Sequence, residues 1–196
     1  MKSKIALLVV GVAAGLAVAG AGLGWFARPY TFHGSYIEQA VAAPDFTLTD
    51  QHGQPFQLSA QKGSVVLFFF GYSNCPDECP ATLSRLAAIR RQLGSQAEHV
   101  RVALVTVDPE TDTPARLGEY LAQFDAPFVG LTGTADDLLQ VWTNYGVYVE
   151  KLLGGAVDHT LRLYAVDARG DLRLTYASDV LPDEMAQDVR ELLKLR

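Results

Sequence analysis

Cysteine is almost missing from this chain of 196 residues: there are two, Cys75 and Cys79, and both lie in one short stretch. Two thiolates fall short of the four ligands usual for structural zinc. No cysteine lies near the N-terminal apolar run, which excludes a lipid-modified N-terminus of the bacterial lipoprotein type. Internal repeats are absent too. Positive charge is also in short supply: 16 basic residues face 22 acidic ones, for a net charge of −6. Three of the basic residues (Lys2, Lys4 and Arg28) and none of the acidic ones fall in the first 28 positions, so the remainder carries −9. An acidic domain of that kind is a poor candidate for nucleic acid. It suits a cationic metal or a basic partner surface.

What is present begins with a charge-free run from Ile5 to Ala27, long enough to span a bilayer. The lysines before it outnumber the single arginine after it, so the N-terminus is expected to stay inside. A cleaved signal peptide is the alternative, because Ala17-Val-Ala19 resembles a small-residue cleavage site. The run is long for a signal peptide, and we read residues 1–28 as a single-pass anchor in the cytoplasmic membrane. Residues 29–43 then read as a linker without clear period, and 44–196 as one exported domain, in the periplasm or another extracytoplasmic space.

The chemistry concentrates in Val65-Val-Leu-Phe-Phe-Phe-Gly-Tyr-Ser-Asn-Cys75-Pro-Asp-Glu-Cys79-Pro80. Six apolar residues in a row, β-branched and aromatic, predict a strand buried on both faces. Gly71 and Ser73-Asn74 break it, and Pro80 suits the first position of a helix. Both cysteines therefore sit in a strand-to-helix loop, at the positive end of a helix dipole that favours thiolates. A disulfide, a redox-active pair and a metal-binding pair all remain open. A bridge across so small a loop removes little chain entropy, which favours the redox and metal readings over a plain staple.

Around that loop the elements follow in a regular order. Phe46-Thr-Leu48 and Phe56-Gln-Leu58 predict a β-hairpin at the domain entrance. Leu83, Leu86, Ile89 and Leu93 carry helical spacing, stopped by Gly94. Val100–Val107 predicts a second buried strand, Thr113-Pro114 a helix start, Phe128–Leu131 a short strand and Thr134 a further helix start. Lys151-Leu-Leu-Gly-Gly155 reads as a hairpin tip, followed by strands around Leu163 and Leu174 and a last helix opening at Pro182. The order βαβα, βα, β-hairpin and helix is that of a thioredoxin-like α/β fold.

Soft thiolates select Cu(I), zinc or iron–sulfur centres, and imidazole is a compatible partner for copper and zinc. Of the four histidines, His33 falls in the linker, His52 in a turn and His99 in a polar connection, and all three read as solvated. His159 opens the strand after the Gly-Gly hairpin and is the candidate third ligand.

Gly71-Tyr-Ser-Asn-Cys75-Pro-Asp-Glu-Cys79-Pro80, Val107-Asp-Pro-Glu-Thr-Asp-Thr-Pro114, Gly130-Leu-Thr-Gly-Thr134 and Val157-Asp-His159-Thr160 resemble, in order, the motifs of the Sco/SenC family. The resemblance runs from about Ala43 to the C-terminus. It implies a membrane-anchored, thioredoxin-fold copper chaperone that helps to assemble the dinuclear copper site of cytochrome c oxidase. Cys75, Cys79 and His159 are then the copper ligands, and Lys151–Gly155 belongs to an inserted hairpin. The implied partners are the copper-bearing oxidase subunit, a copper donor and a thiol reductant. Asp108 and Asp158 lie in matching acidic motifs, as groups behind the ligands or facing a partner. Tyr72-Ser-Asn74 stands where Phe-Thr-His is more usual, and Glu78 where an apolar residue is common.

Two other functions use the same residues. A thiol–disulfide oxidoreductase acting on a partner's cysteines is the main alternative. Thioredoxin-type reductants carry a two-residue spacer and a proline opposite the cysteines, whereas this chain has a three-residue spacer and no proline after His159-Thr160. A peroxidase-like thiol enzyme would need a peroxide-binding arginine near Cys75, and the sequence shows no evident one.

Overall fold

The computed structural model of the protein describes residues 30–124, 126–177 and 180–195. The apolar run read as a membrane anchor lies outside them. Among the described residues no helix is long and apolar enough to cross a membrane.

The apolar run becomes strand β4 (Val65–Gly71), buried along its whole length. Val65, Leu67 and Phe69 enter one core, and Val66, Phe68 and Phe70 enter the other. A strand apolar on both faces is stable only inside a sheet covered twice. It pairs in parallel with β5 (Val100–Thr106) and antiparallel with β9 (Leu163–Val166). The sheet has eight strands in the order β1 (Ser35–Ala42), β10 (Asp171–Tyr176), β9, β4, β5, β6 (Val129–Thr132), β2 (Thr47–Asp50) and β3 (Pro55–Gln57).

Helices α1 (Glu78–Leu93), α2 (Pro114–Leu121) and α4 (Pro182–Leu192) contribute to the first core. Helix α3 (Ala135–Asn144) contributes to the second. That core is aromatic: the Phe68 ring lies 5.0 Å from Tyr145 and 5.3 Å from Tyr164. Such pairs add about 0.5–1.5 kcal/mol each beyond the burial of their area. Thr113 and Thr134 cap α2 and α3 by accepting the backbone N–H of Arg116 and Asp137, as their positions before each helix lead one to expect.

Two expectations are corrected at the start of the domain. The stretch 29–43, read as a linker, contains β1, an edge strand paired with β10. Its residues are mostly exposed, so it has no apolar alternation to read. His33, read as solvated, is docked: its Nδ1 lies 2.9 Å from Oδ1 of Asp188 in α4. Asp188 is completely buried and also accepts the backbone N–H groups of His33 and Gly34. Gly34 has no room for a side chain, because a Cβ there would stand 2.6 Å from the Tyr176 ring. The compact unit accordingly begins at Phe32 rather than at Pro44.

Removing the Asp188 carboxylate leaves backbone donors without their acceptor. Asp188→Ala should cost about 1–3 kcal/mol, read as a lower urea midpoint. An unchanged midpoint would show that the carboxylate does not hold β1 to α4. A fragment starting at residue 44 should likewise be less stable than one starting at residue 30.

Candidate metal and thiol site

Three segments meet beyond the end of β4. The first is the loop 72–77, which carries the chain from β4 into α1. Helix α1 starts at Glu78, two residues before the expected Pro80, so Cys79 lies in its first turn rather than at its mouth. Asp77 caps the helix without a side-chain bond. Instead Sγ of Cys75 accepts the backbone N–H of Cys79 at 3.4 Å. A sulfur thus serves one of the unpaired donors of the helix start.

Both thiols are free. Cys75 is half-buried, whereas Cys79 is 2% exposed. Burial pushes the Cys79 thiol well above its ordinary range, and a hydrogen bond with the Tyr72 backbone opposes the rise; the nearby Cys75 and Asp112 add to it. Gly71 is required beneath it. A Cβ at that position would stand 2.6 Å from Cys79 Sγ, so the sulfur occupies the space where a side chain would begin.

The second segment is the loop after β5. Asp112, completely buried, accepts the Ser73 backbone N–H at 3.1 and 3.2 Å and the Thr106 hydroxyl at 2.6 Å. Arg116 donates from Nε to Ser73 Oγ and from a terminal nitrogen to Asn74 Oδ1. The cysteine loop is therefore clamped to the segment that runs from β5 into α2. Neither Asp112 nor Arg116 stood out in the sequence. The signal available was a second aspartate in the motif that drew attention to Asp108.

The third segment is a two-stranded ribbon of its own, β7 (Val149–Lys151) and β8 (Val157–His159). The expected tip is present: the Leu152 N–H donates to Ala156 O, and Gly154 and Gly155 have φ of 89° and 85°, which glycine adopts freely. His159 closes β8 rather than opening the next sheet strand. Asp108 is buried and ion-paired: Lys151 Nζ lies 3.2 Å from its Oδ1 and 2.9 Å from Glu110 Oε2. Asp158 is exposed. His52 and His99 are exposed as expected.

His159 is 9% exposed. Its Nδ1 lies 3.2 Å from the Val157 carbonyl, which can only accept, so the proton belongs on Nδ1 and the lone pair on Nε2. Nε2 is buried without a hydrogen-bond partner among the described residues. An orphaned basic nitrogen of this kind fits a metal ligand, as two free thiols do. The ring meets Tyr72 edge-on with centroids 5.9 Å apart. The Tyr72 carbonyl in turn accepts the Cys75 N–H at 3.2 Å. Tyr72 is thus the residue that histidine and cysteine loop share. Among the described residues no three His, Cys, Asp or Glu side chains stand close enough to hold one ion.

The two thiols should differ in reactivity, since the thiolate is the nucleophile and access controls its attack. Limited iodoacetamide treatment of the reduced protein, followed by peptide mass mapping, should label Cys75 before Cys79. Equal labelling in the native state would overturn the asymmetry. Gly71→Ala should displace the Cys79 sulfur and destabilise the fold by about 1–3 kcal/mol. A Gly71→Ala protein with wild-type thermal midpoint and labelling pattern would show that the contact is not restrictive.

A family model described as SCO1/SenC matches residues 34–194. The chain is 32% identical over 161 residues to an SCO2-like protein of Rickettsia conorii, an alignment covering 79% of this chain and 78% of that protein. It superposes on Bradyrhizobium japonicum ScoI with copper bound at a TM-score of 0.72 and 35% identity, over 78% of this chain and 99% of the other. It also superposes on BsSco, described as having a disulfide switch and as a member of the Sco family of cytochrome c oxidase assembly proteins. There the TM-score is 0.68 and the identity 25%, over 81% of this chain and 96% of the other. These likenesses agree with the thioredoxin-like α/β fold expected from the element order.

Proposed function

The chain belongs to the SCO1/SenC family, and from that premise we propose that it is a copper-binding protein of cytochrome c oxidase assembly, with copper as its cargo. Cys75, Cys79 and His159 are the proposed ligands. The observation that carries the reading is the buried His159 Nε2, which has no partner while Nδ1 is committed to Val157. The two thiols supply the soft donors that hold Cu(I), and the imidazole adds the donor that Cu(II) favours. These donors are gathered around Tyr72, and loading would require the β7–β8 ribbon and the cysteine loop to draw together.

The anchor read in residues 1–28 would hold the domain at the cytoplasmic membrane, facing the periplasm or an equivalent space. There the copper-bearing subunit of the oxidase is the proposed recipient. An oxidised Cys75–Cys79 pair cannot ligate copper, so loading in an oxidising compartment requires a thiol reductant as well as a copper donor.

One feature favours a second reading, reduction of the recipient's cysteines. An accessible Cys75 beside a buried Cys79 is the asymmetry of an attacking and a resolving thiol. Delivery remains the preferred reading, because a pure reductase has no use for a free Nε2 on His159.

The reduced protein should bind one copper, and Cys75→Ala or Cys79→Ala should abolish tight binding. His159→Ala should weaken Cu(II) binding more than Cu(I) binding. Metal content after anaerobic loading measures this, and full copper occupancy in either cysteine variant would sink the ligand assignment. In a deletion strain, excess copper should partly restore oxidase copper content where a chemical reductant alone does not. Full restoration by His159→Ala would remove delivery and leave reduction standing.

A further inference from the structure

The β7–β8 ribbon forms its own two-stranded sheet, so strand pairing does not fix His159 against the cysteine loop. Side chains have to do it. One tie is Lys151 with Asp108 and Glu110, on a lysine side chain that is 45% exposed. An ion pair that open to solvent contributes about 1 kcal/mol or less.

Besides the packing of Val157 in the second core, a further tie is Tyr72, which is 4% exposed. Its phenolic oxygen accepts the Val157 backbone N–H at 3.3 Å. The carbonyl of the same Val157 accepts His159 Nδ1–H. The phenol is therefore one residue removed from the bond that sets the histidine tautomer, and its ring packs on the imidazole. The backbone of Tyr72 meanwhile bonds to Cys75 and Cys79. A phenylalanine here would keep the ring and the backbone bonds and lose only the hydroxyl.

We propose that Tyr72 is a positioning residue: its hydroxyl holds Val157 so that His159 keeps its proton on Nδ1 and presents Nε2 to the thiol pair. Through that role it favours retention of Cu(II). This rests on the copper reading above. Cu(I) is satisfied by the two thiolates, whereas Cu(II) draws on the imidazole, so loss of the hydroxyl should separate the two oxidation states. Outer groups that orient a ligating histidine commonly carry 10–100-fold effects.

The test is Tyr72→Phe in the full chain. Cu(I) should still load at the wild-type stoichiometry. Cu(II) should dissociate about tenfold faster or more, with shifted electron paramagnetic resonance parameters and a weaker thiolate-to-copper absorption band. A merely structural role would lower the thermal midpoint and leave that spectroscopic signature unchanged. The metal-free protein gives a second readout, the His159 ring-nitrogen shifts in NMR. The wild type should show the Nδ1–H tautomer, and Tyr72→Phe should lose it in part. An unchanged resonance spectrum and Cu(II) release rate in Tyr72→Phe would overturn the link to copper. An unchanged tautomer in the variant, or an Nε2–H tautomer in the wild type, would overturn the positioning role itself. A wild-type chain that takes up no copper sinks the ligand reading alone, because the tautomer measurement needs no metal.

Discussion

The contact between Cys79 Sγ and the backbone at Gly71 governs this structure more than any other. The strand that ends at Gly71 is the most buried element of the sheet, so its end is fixed by both cores. Seating a sulfur directly on that end brings the first turn of α1 down onto the strand. The intervening loop must then turn back sharply, which places Cys75 where its sulfur meets the Cys79 N–H. The spacing of the two thiols follows from this packing as much as from the three residues between them. A side chain at Gly71 would require the Cys79 sulfur or its surroundings to shift.

Around that contact the molecule repeats one physical device. Asp112 and Asp188 are both completely buried carboxylates, and both accept backbone N–H groups from segments far away in sequence. A buried carboxylate is costly unless its oxygens are hydrogen-bonded, and it then holds its donors firmly because they would otherwise be left unpaired. Asp112 fixes the cysteine loop to the end of β5 and Asp188 fixes the first strand to the last helix. The ribbon that carries His159 has no such staple. It is held by a solvated ion pair, by Tyr72 and by the burial of Val157 in the second core.

Much of this was legible before any coordinates. The six apolar residues of β4 could only be a doubly covered strand, and Thr113-Pro114 and Thr134 could only start helices. The Cys75–Cys79 loop stood out through residue type and its place between strand and helix. Two readings failed for identifiable reasons. The edge strand Ser35–Ala42 is exposed on nearly every residue, so it lacks the alternation that marks half-buried strands, and only pairing with β10 makes it a strand. His33 looked solvated because its acceptor, Asp188, lies 155 positions away.

By itself the sequence determined the class of fold, the strand-to-helix loop holding the thiols and the choice of candidate donors. Those properties depend on neighbouring residues, on hydrophobic period and on the intrinsic chemistry of sulfur and imidazole. Only the tertiary structure decided which thiol is accessible, that Asp108 pairs with Lys151 instead of facing outward, and that Nε2 of His159 is the nitrogen left free. It also revealed Tyr72 between histidine and thiols. Burial, tautomer and ion pairing arise where distant segments meet, and such meetings are settled by the packing of the whole sheet and its two cores.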